Sequence, residues 1–249
     1  FEEIRETAER MKAQFIAYGL NEDKTDFVLG SAFQLDEKYT LDLHAVELET
    51  TLSRAKRSMA EIQRGDHAKV SQMVYPLMQA LDIEYLDVDL AVGGLDQRKV
   101  HMLARETLPE LDYAVRPALH TPIIADLETG EGKMSSSDGV TISMEDSREA
   151  IETKVNDAYC PPTADPEPTD EGHDRENPVL QLFQYHVFPR VDRVVVERPE
   201  KYGGNLEYDS YDALEADMES GELHPMDAKG ALAAELDALI QPGRQQLAE

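Results

Sequence analysis

Apolar residues along this chain follow helical spacing in some segments and form short continuous runs in others, which predicts alternating helices and strands. Residues 1–20 place Ile4, Ala8, Met11 and Phe15 on one stripe of an amphipathic helix. Similar spacing predicts further helices at residues 39–64, 69–85 (interrupted at Pro76), 96–111, 147–159, 178–189, 211–222 and 225–247. Short apolar runs predict extended segments at residues 26–30, 88–92, 119–125, 140–143 and 193–197.

The order of these elements predicts two regions. In residues 1–147 strands alternate with helices, which is the pattern of a parallel α/β sheet. Residues 161–178 are rich in proline and carboxylates and contain no aliphatic side chain larger than alanine, so we expect a linker or an exposed loop there. Because the pattern after this loop is mostly helical, residues 148–249 are predicted to form a small helical domain.

The charge of the chain is strongly acidic. There are 51 Asp and Glu residues against 24 Lys and Arg, a formal net charge of -27. Such a chain is expected to repel nucleic acid, unless it works in concentrated salt, where self-repulsion is screened and a carboxylate surface stays hydrated. We favour the salt explanation, because the acidic residues are dispersed along the chain and do not form one block.

Cysteine content and hydropathy bear on the compartment. The single cysteine, Cys160, excludes a disulfide within the chain and fits a reducing cytoplasm. We find no apolar run of about 18 residues and no signal peptide, so we predict a cytoplasmic protein with no membrane partner.

One predicted helix carries an unusual polar stripe. Tyr75, Gln79 and Asp82 stand at positions i, i+4 and i+7, which places them on one helix face beside apolar neighbours such as Leu77 and Leu81. A solvated face is the ordinary explanation, and a polar pocket inside an α/β fold is the functional one.

The segment Val92–Gln97 favours the pocket. Gly93 and Gly94 follow a predicted strand and permit a ligand to approach the backbone, at the sheet edge where ligands of open α/β sheets bind. Asp96 is placed to cap the next helix, and Gln97 projects from its first turn toward the same crevice.

A lysine is followed by small hydroxyl residues in a loop flanked by glycines, at Lys133-Met134-Ser135-Ser136-Ser137. Such a loop suits closure over a polyphosphate, since the ammonium group and the hydroxyl and backbone donors offset negative charge. Taken alone, a stretch of this kind is more often an ordinary surface loop.

In order, the segments Tyr75–Asp82, Val92–Lys99 and Lys133–Ser137 resemble tyrosyl-tRNA synthetases of the archaeal and eukaryotic type, which are class I aminoacyl-tRNA synthetases. The resemblance covers nearly the whole chain, including Tyr159–Pro161 and His224–Asp227. It implies activation of L-tyrosine with ATP to tyrosyl-adenylate and pyrophosphate, followed by transfer to tRNA(Tyr). With the charge, it suggests a halophilic archaeal source.

The resemblance also implies an architecture and partners. Residues 1–147 correspond to a Rossmann-like catalytic domain that is incomplete at its N-terminus, and residues 148–249 to a helical anticodon-binding domain. The expected substrates are tyrosine, ATP with Mg²⁺, and tRNA(Tyr). We expect a homodimer that binds neither DNA nor a metal ion of its own.

In that family, the residues matching Tyr75, Gln79 and Gln97 hold the ammonium group of the amino acid, and the residue matching Asp82 accepts a hydrogen bond from the phenol hydroxyl. Lys133, Ser135 and Ser136 match catalytic positions of the ATP loop. The implied ATP-binding set is Gly93, Gly94, Lys133, Met134, Ser135, Ser136 and Ser137.

Anticodon contacts are implied for Tyr202, His224 and Asp227, although helix capping explains His224 and Asp227 equally well. Several basic residues are candidates for RNA or dimer contacts, or are ordinary surface charges: Arg54, Arg57, Arg64, Arg98 and Lys99.

Part of the family pattern is missing. We find neither the His-x-Gly-His-type motif nor the further tyrosine that contacts the substrate phenol, and His44 has no adjacent glycine. We therefore expect this chain alone to lack part of the ATP site. Two alternatives stay open: a non-catalytic fragment that binds tRNA or dimerises, and a relative of tryptophanyl-tRNA synthetase. The pairing of Asp82 with Tyr75 argues against an indole pocket.

Overall fold

The computed structural model describes residues 2–58, 69–135, 139–164, 166, 168, 172 and 174–248. The chain divides into two compact units, one formed by Phe27–Ile123 and the other by Phe1–Asp26 together with Ile124–Glu249. The predicted boundary between residues 147 and 148, which came from the element pattern and the family resemblance, stays a prediction.

In its described residues, the Phe27–Ile123 unit combines four α-helices with a parallel pair of strands. Its elements are α2 (Glu37–Glu49), α3 (Leu52–Ser58), α4 (Val70–Tyr85), β1 (Ala91–Gly94), α5 (Arg98–Thr107) and β2 (Ala118–Thr121). Ala91 lies opposite Ala118 and Gly94 opposite Thr121. Because parallel strands need a long crossover connection, α5 between them completes a β-α-β unit.

The core of this unit lies between α2, α4 and α5. Its buried apolar side chains recur at helical spacing: Tyr39, Val46, Leu77, Ala80, Leu81, Leu103, Ala104 and Leu108. The apolar face of α4 points into this core, which leaves the polar stripe along one border of the same helix.

The second unit is mostly helical, and its described residues include an antiparallel strand pair. Its elements are α1 (Glu2–Ala17), α6 (Arg148–Asp157), α7 (Pro178–Leu182), β3 (Val194–Val196), β4 (Leu206–Tyr208), α8 (Tyr211–Ser220) and α9 (Pro225–Ala248). Ser147 caps α6 by accepting from the backbone N–H of Ala150 at 3.2 Å. A π-helical turn, Phe183–Val187, continues α7.

The structure corrects several predicted elements. The predicted strand at 26–30 is absent, because this segment pairs with no described strand and leaves Val28 and Leu29 about half exposed, at 52% and 46%. The predicted helix 39–64 breaks where Thr50, a β-branched residue, adopts extended φ and ψ of -106° and 116°. Residues 59–64 of that prediction lie outside the described residues.

Two further predictions need adjustment. Helix α4 runs through Pro76 without the expected interruption. The predicted strand 88–92 begins later, at Ala91, and includes both glycines. No helix among the described residues is long and apolar enough to cross a membrane.

Candidate active site

Two glutamines from separate elements meet in the Phe27–Ile123 unit. Gln79 lies on α4, and Gln97 ends the 3₁₀ turn Leu95–Gln97 that follows β1. The amide nitrogen of Gln79 donates to the side-chain oxygen of Gln97 at 2.9 Å. The side-chain oxygen of Gln79 is buried with no hydrogen-bond partner among the described residues. An acceptor left in this state fits a ligand that brings its own N–H donors.

The two glycines that end β1 lie close to side chains of the next turn. A Cβ atom on Gly93 would lie 3.2 Å from Cβ of Gln97 and 3.4 Å from Cε1 of His101, and one on Gly94 would lie 2.6 Å from Oδ1 of Asp96. Asp96 lies inside the 3₁₀ turn, and Gln97 holds the N-cap position of α5 without a side-chain cap. The capping role predicted for Asp96 is therefore not seen.

Asp82 is held by two side chains that the sequence did not single out. Its Oδ1 accepts from the hydroxyl of Tyr39 at 2.8 Å and from Nε2 of Gln34 at 3.0 Å, and Nε2 of Gln34 also lies 3.1 Å from Oδ2. Asp82 and Gln79 are half-buried, which excludes a simple solvated face for both of them. Tyr75, on the same helix face, is 63% exposed.

A pair of histidines lies beneath the glutamine pair. Nδ1 of His101 and Nε2 of His120 are 2.9 Å apart. Burial, together with the neighbouring His120, lowers the pKa of His101. A neutral imidazole has one N–H donor and one acceptor nitrogen, so one ring donates to the other and the pair joins α5 to β2 beside Gly93. Periodicity alone marks His101 only as a residue on the buried face of α5.

The Lys133 loop belongs to the other unit. Its entry is anchored by the N–H of Met134, which donates to the carbonyl of Ile124 at 2.8 Å. Gly130 has a positive φ of 73°, and a Cβ atom there would lie 2.5 Å from both the carbonyl oxygen of Glu176 and the ring of Tyr159. Close packing therefore requires this glycine. Lys133 and Ser135 are half-buried.

The predicted hydroxyl residues Ser136 and Ser137 lie outside the described residues.

The predicted anticodon residues lie in the same unit as this loop. Tyr202 is 62% exposed, and Nζ of Lys201 lies 4.6 Å from the centre of its ring. The exposed His224 caps α9, because its Nδ1 accepts from the N–H of Met226 at 3.1 Å. Asp227 lies in the first turn of α9. The capping interpretation of His224 is therefore observed, and it leaves its other ring nitrogen available to a ligand.

Arg198 joins these two segments. Its Nε donates to the carbonyl of Gly204 at 3.0 Å and its Nη1 to the carbonyl of Glu222 at 2.8 Å. The buried guanidinium therefore links the loop that carries Tyr202 to the segment that leads into His224.

A basic groove of about 430 Å³ lies between α3 and α5 in the Phe27–Ile123 unit. Its lining residues are Arg54, Arg57, Ser58, Arg98, Lys99, Met102, Leu103 and Glu106. Arg54 pairs with Glu106. Four cations in one groove of a chain with net charge -27 indicate an anionic ligand. Arg64, the fifth predicted basic residue, lies outside the described residues.

The chain matches the model of the class I tRNA synthetases for tryptophan and tyrosine over residues 1–241, and it therefore belongs to that family. A tyrosine–tRNA ligase of Halorubrum lacusprofundi is 76% identical over all 249 residues, which span 76% of that protein. A tyrosine–tRNA ligase of Halobacterium salinarum is 70% identical over the same residues, 75% of its length. The crystal structure of tyrosyl-tRNA synthetase from Archaeoglobus fulgidus with L-tyrosine matches with a TM-score of 0.87 and 50% identity, covering 99% of this chain and 74% of that one.

Fold and relatives together define an aminoacyl-tRNA synthetase of class I with a Rossmann-like domain. Within this class the function is that of a tyrosine–tRNA ligase. The family, the fold class and the enzyme activity predicted from the sequence are confirmed. Relatives from halophilic archaea agree with the salt explanation of the charge.

Proposed function

We propose that the border of α4 and the turn after β1 form the pocket for the tyrosine substrate. The observation that carries this proposal is the buried, unpartnered oxygen of Gln79 on the same helix as the Asp82 carboxylate. One acceptor suits the ammonium group of the amino acid, and the other suits its phenol hydroxyl. Gln97 holds the amide of Gln79 in place, and Tyr75 lies at the exposed end of the stripe.

Selectivity in this pocket depends on Asp82. Tyrosine donates its phenol hydrogen to the carboxylate, whereas phenylalanine leaves that acceptor unpaired. A site built to bind a substrate hydroxyl rejects the analogue without it by about 10⁴–10⁵.

Activation joins the tyrosine carboxylate to ATP. A carboxylate oxygen attacks the α-phosphorus, and the bond from that phosphorus to the pyrophosphate oxygen breaks. Lys133 stabilises the negative charge that develops on pyrophosphate, and Ser135, Ser136 and Ser137 supply hydrogen-bond donors. Gly93 and Gly94 permit close approach of the nucleotide to the backbone. Mg²⁺ arrives with the ATP phosphates; no group of three or more His, Cys, Asp or Glu residues in the described part of the chain is placed to hold a metal.

The tyrosyl group then passes to the 3′-terminal ribose of tRNA(Tyr). The basic groove around Arg57 and Arg98 is positioned to receive tRNA phosphates, whereas Tyr202 stacks on an anticodon base. Asp227 accepts from a base edge, and His224 contacts the same base. The homodimer and the cytoplasmic location stay predictions, which light scattering in concentrated KCl and cell fractionation test.

The test is tyrosine-dependent ATP–pyrophosphate exchange by the full-length gene product and its Asp82→Ala variant. We expect the variant to lose most of the discrimination between tyrosine and phenylalanine. Unchanged discrimination would reject the pocket assignment. Absence of exchange in the unmodified protein would favour the non-catalytic alternative.

A further inference from the structure

Asp82 is the centre of a small hydrogen-bond network whose other members have no assigned role. A carboxylate has about four lone-pair sites, two on each oxygen. Oδ1 accepts from the hydroxyl of Tyr39 at 2.8 Å, and Nε2 of Gln34 lies 3.0 Å from Oδ1 and 3.1 Å from Oδ2, so the two oxygens share one N–H of that amide. Oδ2 has no further partner among the described residues. Oδ2 therefore keeps more open acceptor capacity than Oδ1, and the contacts from Tyr39 and Gln34 fix its direction.

Tyr39 is held rigidly in this network. Its side chain is fully buried, and its ring packs edge-on against Phe33 and Tyr85, with centroids 5.7 and 4.7 Å away. Its hydroxyl also lies 3.0 Å from the carbonyl of Met78. Since the hydroxyl has one hydrogen, an ionised Asp82 attracts it more strongly than the neutral carbonyl does.

Gln34 reaches Asp82 only because residue 30 is a glycine. A Cβ atom on Gly30 would lie 2.5 Å from Oε1, 2.8 Å from Cδ and 3.1 Å from Nε2 of Gln34. The clash involves the far end of a flexible side chain, so an alanine at position 30 moves the amide of Gln34 and leaves the backbone unstrained.

We propose that Tyr39 and Gln34 are positioning residues for tyrosine selectivity: Tyr39 occupies Oδ1 of Asp82, and both residues fix the carboxylate so that Oδ2 points toward the substrate phenol, with Gly30 making room for Gln34. This rests on the proposed role of Asp82. The network keeps the carboxylate oriented toward the substrate. A carboxylate that rotates freely can accept a hydrogen bond from water in place of the substrate phenol.

The experiment compares Tyr39→Phe, Gly30→Ala and Tyr85→Phe in the full-length gene product. The last variant is the matched control, since the Tyr85 hydroxyl belongs to the same aromatic cluster but donates to Asp42, at 2.6 Å. In pyrophosphate exchange, the first two variants should lower the ratio of kcat/KM for tyrosine over phenylalanine by about 10–100-fold. The change should lie in the KM for tyrosine, with kcat and the KM for ATP preserved.

A double variant separates positioning from general loosening. If Gly30→Ala acts through Gln34, then adding it to Gln34→Ala should cause no further loss of selectivity. Gly30→Ala carries the test even if Tyr39→Phe does not fold.

Discrimination that survives both Tyr39→Phe and Gly30→Ala, while Asp82→Ala abolishes it, would overturn the positioning role and leave the pocket intact. Discrimination that survives Asp82→Ala would instead overturn the pocket itself.

Discussion

The amide nitrogen of Gln79 donates to the side-chain oxygen of Gln97 at 2.9 Å, and this bond fixes the direction of the buried Gln79 oxygen. The two residues come from α4 and from the turn after β1. Gly93 leaves little room to spare beside this pair, because a Cβ atom there would lie 3.2 Å from Cβ of Gln97. The result is one preset acceptor for a cationic group.

Replacing this acceptor should weaken recognition of the amino group. Gln79→Met keeps the length of the side chain but removes its polar atoms, so we expect the KM for tyrosine to rise about 10–100-fold, the value of a hydrogen bond to a charged group. Inhibition by 3-(4-hydroxyphenyl)propanoate, which lacks the amino group, should change little. Equal weakening of both compounds would contradict an ammonium site at Gln79.

The Lys133 loop should affect the chemical step and not amino-acid binding. Removing one group that stabilises developing charge costs about 10²–10³ in kcat. We therefore expect Lys133→Ala to lower kcat of pyrophosphate exchange by this factor, with tyrosine binding by calorimetry unchanged. Lys24→Ala, at an exposed lysine of a 3₁₀ turn, serves as the control. Normal exchange in Lys133→Ala would remove the lysine from the mechanism.

The basic groove should matter for tRNA alone. Arg57→Gln and Arg98→Gln should raise the KM for tRNA and reduce the salt dependence of tRNA affinity by about one unit of log–log slope per cation removed. Pyrophosphate exchange without tRNA should stay unchanged. Arg148→Gln, at an exposed arginine paired with Glu152, controls for net charge. Loss of exchange in the groove variants would place these arginines elsewhere in the reaction.

The histidine pair should make stability depend on pH. Burial lowers the folded-state pKa of His101 below its ordinary value of 6.5. The unfolded chain therefore binds more protons, and the stabilisation is present above about pH 6.5 and is lost as the pH falls below it. Between pH 5 and pH 8, the melting temperature of His101→Gln should change less with pH than that of the unmodified protein.

His44→Gln, at an exposed histidine, should leave that pH dependence unchanged. The comparison between variants is necessary because burial also lowers the pKa of His186, which adds a dependence of the same sign. Identical pH dependence in all three proteins would show that His101 does not titrate as described.

The sequence predicted the elements whose periodicity is long and regular. Helices α4, α6 and α9 were found within a few residues of their bounds, since their apolar faces pack against cores that the spacing reveals. The strand predicted at 26–30 failed because an apolar run does not show whether a partner strand exists. Strand β4, Leu206–Tyr208, was missed because Glu207 interrupts its apolar residues, whereas β3 is an uninterrupted run of valines.

The candidate site was also predicted only where its residues lie close together in sequence. Tyr75, Gln79, Asp82 and Gln97 were proposed from local spacing and family resemblance, which work along one helix or one turn. Gln34 and Tyr39 were missed because their link to Asp82 spans 48 and 43 residues of chain. Tyr39 is also buried like an ordinary core residue, and only the hydrogen bond from its hydroxyl to Asp82 links it to the candidate site.

The most direct test of the tyrosine pocket is the amino-acid dependence of ATP–pyrophosphate exchange by the full-length gene product in concentrated KCl. The pocket built around Gln79 and Asp82 predicts exchange with tyrosine, and rates with phenylalanine and tryptophan that are lower by about 10⁴ or more. Exchange that proceeds equally well with tryptophan or phenylalanine would contradict it.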